Sequence, residues 1–328
     1  MGSKLNLRVF KDRVEIGERF AISFQRTLRI PDDGKIYPLP PTLGTFPVHK
    51  ISDYAERLPK SWRNNGVFIP MYQREAMWLA FEAASWKPNA VKIGVGRINV
   101  LTGEVWEEGL HTEPQDYIVC PTQPWLDGIK SGEGQIRQFV AMPLGEGYTI
   151  EAQLTGEERF GGLQVMVFEP NEGIFPDKPP PQKSLGGGPG APWAFAAPSS
   201  PTQEMGIGAG GQMKQKVYPD PYGIQTWDTS TFGELSIHIL NSLQYEKVTG
   251  EPPPASPVSA KTYTEYGLPW FEMYDEASSD LPPAEKFDKV KSIQEMGGEM
   301  GDEEESLEIG PDQVQKVDPN QSNRPQRQ

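Results

Sequence analysis

The chain is poor in the residues on which many enzymes and stapled scaffolds depend. Of its 328 residues one is cysteine, Cys120, and three are histidine, His49, His111 and His238. A single cysteine permits no internal disulfide, which excludes a disulfide-framed extracellular scaffold. Three scattered histidines fall short of the ligand sets of multi-histidine metal centres. No stretch approaches the roughly 20 apolar residues that a helix needs to cross a bilayer. The opening Met1–Asn6 has no apolar run of the signal-peptide kind, and Asn6 stands where a myristoylation signal needs Ser or Thr. A cytoplasmic location is the expectation.

Basic residues are also scarce relative to acids. Lys and Arg total 31 against 45 Asp and Glu, a formal net charge of −14, with a sequence pI near 4.8. Binding along a phosphate backbone needs a basic face, and so does docking on an anionic membrane. Neither nucleic acid nor membrane is expected as a partner. From Ser279 onward there are 12 acids and 6 bases, so −6 of the −14 belongs to the C-terminal segment. The remainder, at −8, has charge enough for solubility and no more.

What the chain does have is alternation. Leu5, Leu7 and Val9 alternate with polar residues, as do Phe20, Ile22 and Phe24, and Val91, Ile93 and Val95. A period of two is the signature of a half-buried strand. Similar short runs follow at Ile118–Cys120, Ile136–Met142, Leu163–Val167 and Leu235–Ile239, and Tyr148–Leu154 alternates in the same way. Residues 73–84 have helical propensity but strand-like alternation at Met77, Leu79 and Phe81, and the β flanks favour strand. Ile51–Leu58 reads as a short helix with Ser52 as cap. Turn words such as Pro31-Asp32-Asp33-Gly34 and Thr102-Gly103-Glu104 separate the runs. No βαβ alternation occurs. The expected fold is all-β: an antiparallel sandwich or barrel-like body with long irregular loops and a disordered C-terminal tail.

Composition divides the chain into four parts. Residues 1–170 form the β-rich body. Residues 171–212 hold Pro179-Pro180-Pro181 and Gly186-Gly187-Gly188 and read as a linker or long loop. Residues 213–278 form a smaller β segment, too short to stand alone, which should dock on the body or complete it. Residues 279–328, with almost no apolar periodicity and the run Asp302-Glu303-Glu304-Glu305, read as a disordered acidic tail.

Few words carry chemistry. Gly206-Ile207-Gly208-Ala209-Gly210-Gly211 matches a dinucleotide fingerprint, but no strand–turn–helix context surrounds it, and a loop is expected. His111, Glu113 and Asp116 lie near Cys120, a spacing that invites a Cys–His pair or a metal cluster. Cys120 follows Ile118-Val119 and reads instead as a small buried hydrophobe. The acidic run 302–305 lacks the alternate-position ligands of a calcium loop. No cofactor and no metal are expected.

Trp125 beside Asp127, and Trp227 beside Asp228, are the most distinctive words. A solvent-facing Trp next to a carboxylate grips sugars, whereas a Trp anchored beside Pro fills a core. If the chain were a glycosidase, two acids from among Asp32 or Asp33, Asp127, Asp220 and Asp228 would converge as its carboxylate pair, with Trp125 or Trp227 as the stacking platform. The primary expectation is a non-catalytic β protein for binding or assembly, its partner another copy of itself or another protein. A carbohydrate-active enzyme or a carbohydrate-binding module is the alternative.

Overall fold

The computed structural model describes residues 3–62, 66–178, 204–273, 279–297 and 306–317. All of its strands except two join one hydrogen-bonded network, mostly antiparallel. The inward faces follow the alternation. Phe20, Ile22 and Phe24 of the Phe20–Thr27 strand meet Met77, Leu79 and Phe81 of Ala76–Ala83, and residues 73–84 thus contribute strand and not helix. Beyond these lie Gln135–Pro143 and Glu204–Lys214, then Trp227–Asn241, Leu163–Pro170 and Asn89–Val95. One side chain in two from each strand enters a single apolar cluster. The sheet therefore curls around one core, which makes the all-β body barrel-like.

The outward faces are also covered, by smaller clusters. Trp78, Trp125 and Trp270 anchor one, with Tyr37, Tyr263 and Leu307. Trp62, Phe68 and Tyr245 form another under the Ser242–Thr249 helix, and Tyr117, Phe168 and Trp227 form a third. Trp227–Asn241, 15 residues long, ties the molecule together. It pairs antiparallel with Leu163–Pro170 and parallel with Val67–Met71 and with Ser3–Lys4.

Three sequence expectations are corrected. Tyr148–Leu154 is not a strand: Ile150–Thr155 is a helix, because the Thr149 hydroxyl accepts from Ala152 N and Gly156 closes the end at φ 78°. Ile51–Asp53 forms one 3-10 turn in place of the longer helix. The run Gly206–Gly211 is not a loop but the middle of the Glu204–Lys214 strand. Its glycines are required by close packing: a Cβ on Gly206 would stand 2.8 Å from Thr149 Cγ2, and one on Gly208 3.0 Å from the Tyr148 carbonyl.

Within the segment from 279 onward, residues 279–297 lie against the body. Leu281, Phe287 and Val290 enter the central core, and Ile293 packs with Val140 and Met142. Asp280 pins the start of this stretch by accepting from Lys130, itself fully buried, from Gly134 N at 2.5 Å and from Val217 N at 2.8 Å. Val314–Val317 pairs parallel with Trp270–Met273. The acidic run 302–305, most of the Pro/Gly-rich stretch (179–203) and residues 318–328 lie outside the described residues. Among the described residues no helix is long and apolar enough to cross a membrane.

Candidate functional site

The Asn89–Val95 strand sends Val91, Ile93 and Val95 into the core, which leaves Lys92 and Gly94 on the opposite face. Gly94 has no side chain there for a reason. Trp106 lies on it, and a Cβ would come within 2.7 Å of the indole Cε3. The Lys92 ammonium stands 5.5 Å from the Trp106 ring. Strand, indole and lysine together make the floor of a cleft.

The walls come from the excursion between Ile98–Asn99 and Ile118–Cys120. Asn99 holds it at both ends. Its Oδ1 accepts from Leu101 N (2.9 Å) and Thr102 N (3.1 Å), while its Nδ2 donates to the Asp116 carbonyl at 2.7 Å. The 111–116 loop closes on itself: His111 N donates to Asp116 Oδ1 at 2.8 Å, and Asp116 N donates to the His111 carbonyl at 3.2 Å. The result is a cavity of about 270 Å³ lined by Lys92, Thr102, Glu104, Val105, Glu107, His111, Glu113 and Asp116, among others.

Asp116 organises the charges. Its Oδ2 accepts from Lys92 Nζ at 2.6 Å and from His111 Nδ1 at 2.8 Å. Lys92 and Asp116 are both buried, whereas the His111 ring is half exposed. A carboxylate can only accept, so Nδ1 carries a proton, and in the neutral form of the ring Nε2 presents its lone pair. Lys92 also donates to the Gly109 carbonyl at 2.9 Å, which satisfies a second of its three protons. A buried ion pair with this many hydrogen bonds is tolerable because each desolvated charge meets a partner.

The residues singled out from sequence go elsewhere. Trp125 is fully buried, 6.3 Å centroid to centroid from Trp78. Trp227 is buried in a different cluster, and its Nε1 donates to Asp220 at 2.8 Å. Neither presents a face for a sugar to stack on. Asp127 is fully buried and accepts from Gln215 Nε2 at 2.9 Å. Asp220 accepts from the Tyr117 hydroxyl at 2.6 Å, and burial together with this carboxylate pushes the phenol pKa up. Asp228 turns back on Ser230, whose hydroxyl hydrogen bond holds the carboxyl below its ordinary range. Asp33 accepts from Tyr37 and Ser306. Each acid is engaged in its own local network. Cys120 is buried, its thiol pushed up by desolvation, and it donates to the Gln123 carbonyl.

Of the sequence candidates, then, the structure unites His111 and Asp116 and puts Glu113 on the same cleft. It adds Lys92, which the sequence reading missed. The available signal was Gly94, two residues along the same face from Lys92, where a missing side chain makes room for a large one. Among the described residues no group of three or more His, Cys, Asp or Glu is arranged to hold a metal ion. Searches of family models, of curated proteins and of solved structures give no match to this chain.

Proposed function

We propose that the chain is a non-catalytic binding protein that takes a small polar ligand in the cleft over Lys92, His111 and Asp116. One observation carries this reading. The cleft joins a buried, hydrogen-bonded charged floor to side chains that have acceptors to spare, whereas the other chemistry-bearing residues are consumed by packing. Concave sites with a few convergent polar groups are the usual place for ligands. The glycosidase alternative has less support, because its candidate acids are spread over separate networks and its tryptophans are buried. Self-assembly through sheet edges also has less support. Ile36–Tyr37 and Thr42–Thr45, which pair on one side only, are two and four residues long and offer little backbone to a second copy. We place the protein in the cytoplasm, a reading supported by the free thiol of Cys120.

The experiment is a titration of small polar compounds followed by NMR at the three histidine Cε1–H signals. Binding in the cleft shifts His111 and leaves the buried His49 and the half-buried His238 in place. Ligands that shift other surfaces while His111 stays silent would remove the cleft from consideration.

A further inference from the structure

We infer, resting on the cleft as the binding site, that its ligand is a small organic cation carrying N–H donors, such as a short alkylammonium or diamine. Two independent features of the wall lead there.

The first is charge. Lys92 and Asp116 cancel across 2.6 Å. Glu104 is met by Lys286, an exposed pair on the rim. Glu107 and Glu113 remain, and neither makes an ion pair or hydrogen bond among the described residues. With a neutral imidazole the cleft carries a surplus of two negative charges, both on its exposed rim.

The second is the donor inventory. Most side-chain donors on the wall are engaged, and those that are not belong to the buried Lys92 and Asn99. Lys92 gives protons to Asp116 and to Gly109 O and turns its ammonium toward the Trp106 ring. Asn99 Nδ2 is given to the Asp116 carbonyl, the Thr102 hydroxyl to Asn99 Oδ1, and His111 Nδ1 to Asp116 Oδ2. What else is left over accepts: His111 Nε2 and the carboxylates of Glu107 and Glu113. An anion would find only one remaining proton each on the buried Lys92 and Asn99, and two like charges. A ligand that donates and carries positive charge satisfies both conditions together. Val105, 61% exposed on the lip between the glutamates, gives an alkyl chain an apolar contact. The volume, about 270 Å³, lies below that of drug-sized sites and suits a ligand of few heavy atoms.

The test uses the full chain at pH 8 and fixed ionic strength, with 1,4-diaminobutane, 1,4-butanediol and succinate as probes of equal length and different charge. The readout is the His111 Cε1–H signal, assigned with His111→Gln. Diaminobutane is expected to shift it saturably, and the Glu107→Gln/Glu113→Gln double variant to weaken that binding at least tenfold. Both substitutions are at exposed positions, so folding is not at stake. Succinate or butanediol binding as well as the diamine would overturn the cation inference and leave the cleft standing as a binding site. Magnesium chloride at equal charge giving the same shift would show an ion atmosphere only and overturn it too. Silence from the diamine overturns it, and silence from every compound in the wider titration overturns the cleft with it.

Discussion

Replacing Asp280 with Ala tests the pin that holds residues 279–297 on the body. Lys130 is fully buried, and burial pulls its pKa below the ordinary 10.5. Asp280 compensates that buried ammonium and also accepts from Gly134 N and Val217 N. Breaking a buried pair by removing one partner costs about 3–5 kcal/mol, since the other charge is left desolvated. A second route bounds the same figure. In the variant Lys130 can shed its proton, and carrying it neutral at pH 7 against an unfolded lysine near 10.5 costs about 4.8 kcal/mol, at about 1.36 per pH unit. At pH 9 the same bound falls to about 2 kcal/mol. The sign follows from linkage. A base whose folded pKa is depressed leaves the unfolded state binding more protons, so stability rises with pH across that window. The variant should therefore lose about 3–5 kcal/mol at pH 7 and markedly less at pH 9. Urea unfolding of wild type and variant at both pH values, followed by tryptophan fluorescence, measures it. Lys130→Met/Asp280→Leu, which removes both charges, should recover the part of the loss owed to the stranded ammonium but not the part owed to the Gly134 and Val217 N–H groups. A loss under about 1 kcal/mol at pH 7, or an equal loss at both pH values, would refute the reasoning.

Other expectations follow from individual networks. Asp220→Ala strips the acceptor from both the Tyr117 hydroxyl and Trp227 Nε1 and should cost about 2–4 kcal/mol in chemical unfolding, with Asp220→Asn recovering much of it. His49, buried and bonded to the Tyr245 hydroxyl at 2.7 Å, has its pKa lowered chiefly by desolvation. Its NMR titration should have a midpoint below 6.5, and stability should fall as pH drops below 6.5; a midpoint at or above 6.5 counts against the assignment. Gly206→Val forces two methyls toward Thr149 and Leu144 and should lower stability by about 1–3 kcal/mol, whereas Gly34→Ala, in open space at φ 80°, should cost about 1. Thermal melting separates the two.

The strands were legible wherever one face meets the core and the other does not. Leu235, Ile237 and Ile239 alternate with Ser236 and His238 because the sheet has a single interior. Alternation misled at Tyr148–Leu154, where seven residues are too few to separate a period of 2 from one of 3.6; the deciding signals were the Thr149 cap and Gly156. Glycine misled at 206–211, where it reads as slack. Here it marks the opposite, a strand onto which Thr149, Tyr148 and Ile293 press directly. Leu281, Phe287, Val290 and Ile293 show no periodicity because coil and single turns hold them, so each fills its own gap without a repeating face. At the cleft, His111, Glu113 and Asp116 were visible as close neighbours in sequence. Lys92 was not, because a lysine on the outer face of a strand looks the same in sequence whether water or an indole covers it.

The long Trp227–Asn241 strand has a consequence for how the protein is made. Val67–Met71 finds its parallel partner only at Ile237–Asn241, 170 residues later in the chain (67 to 237). At about 5–20 residues per second, a ribosome needs on the order of 10–30 s to deliver that partner. Throughout that interval Val67, Phe68 and Ile69, all buried in the finished protein, have no such partner to pair with. The order of synthesis therefore leaves this apolar strand without that partner for a time set by the distance between two strands and not by the stability of the fold they complete.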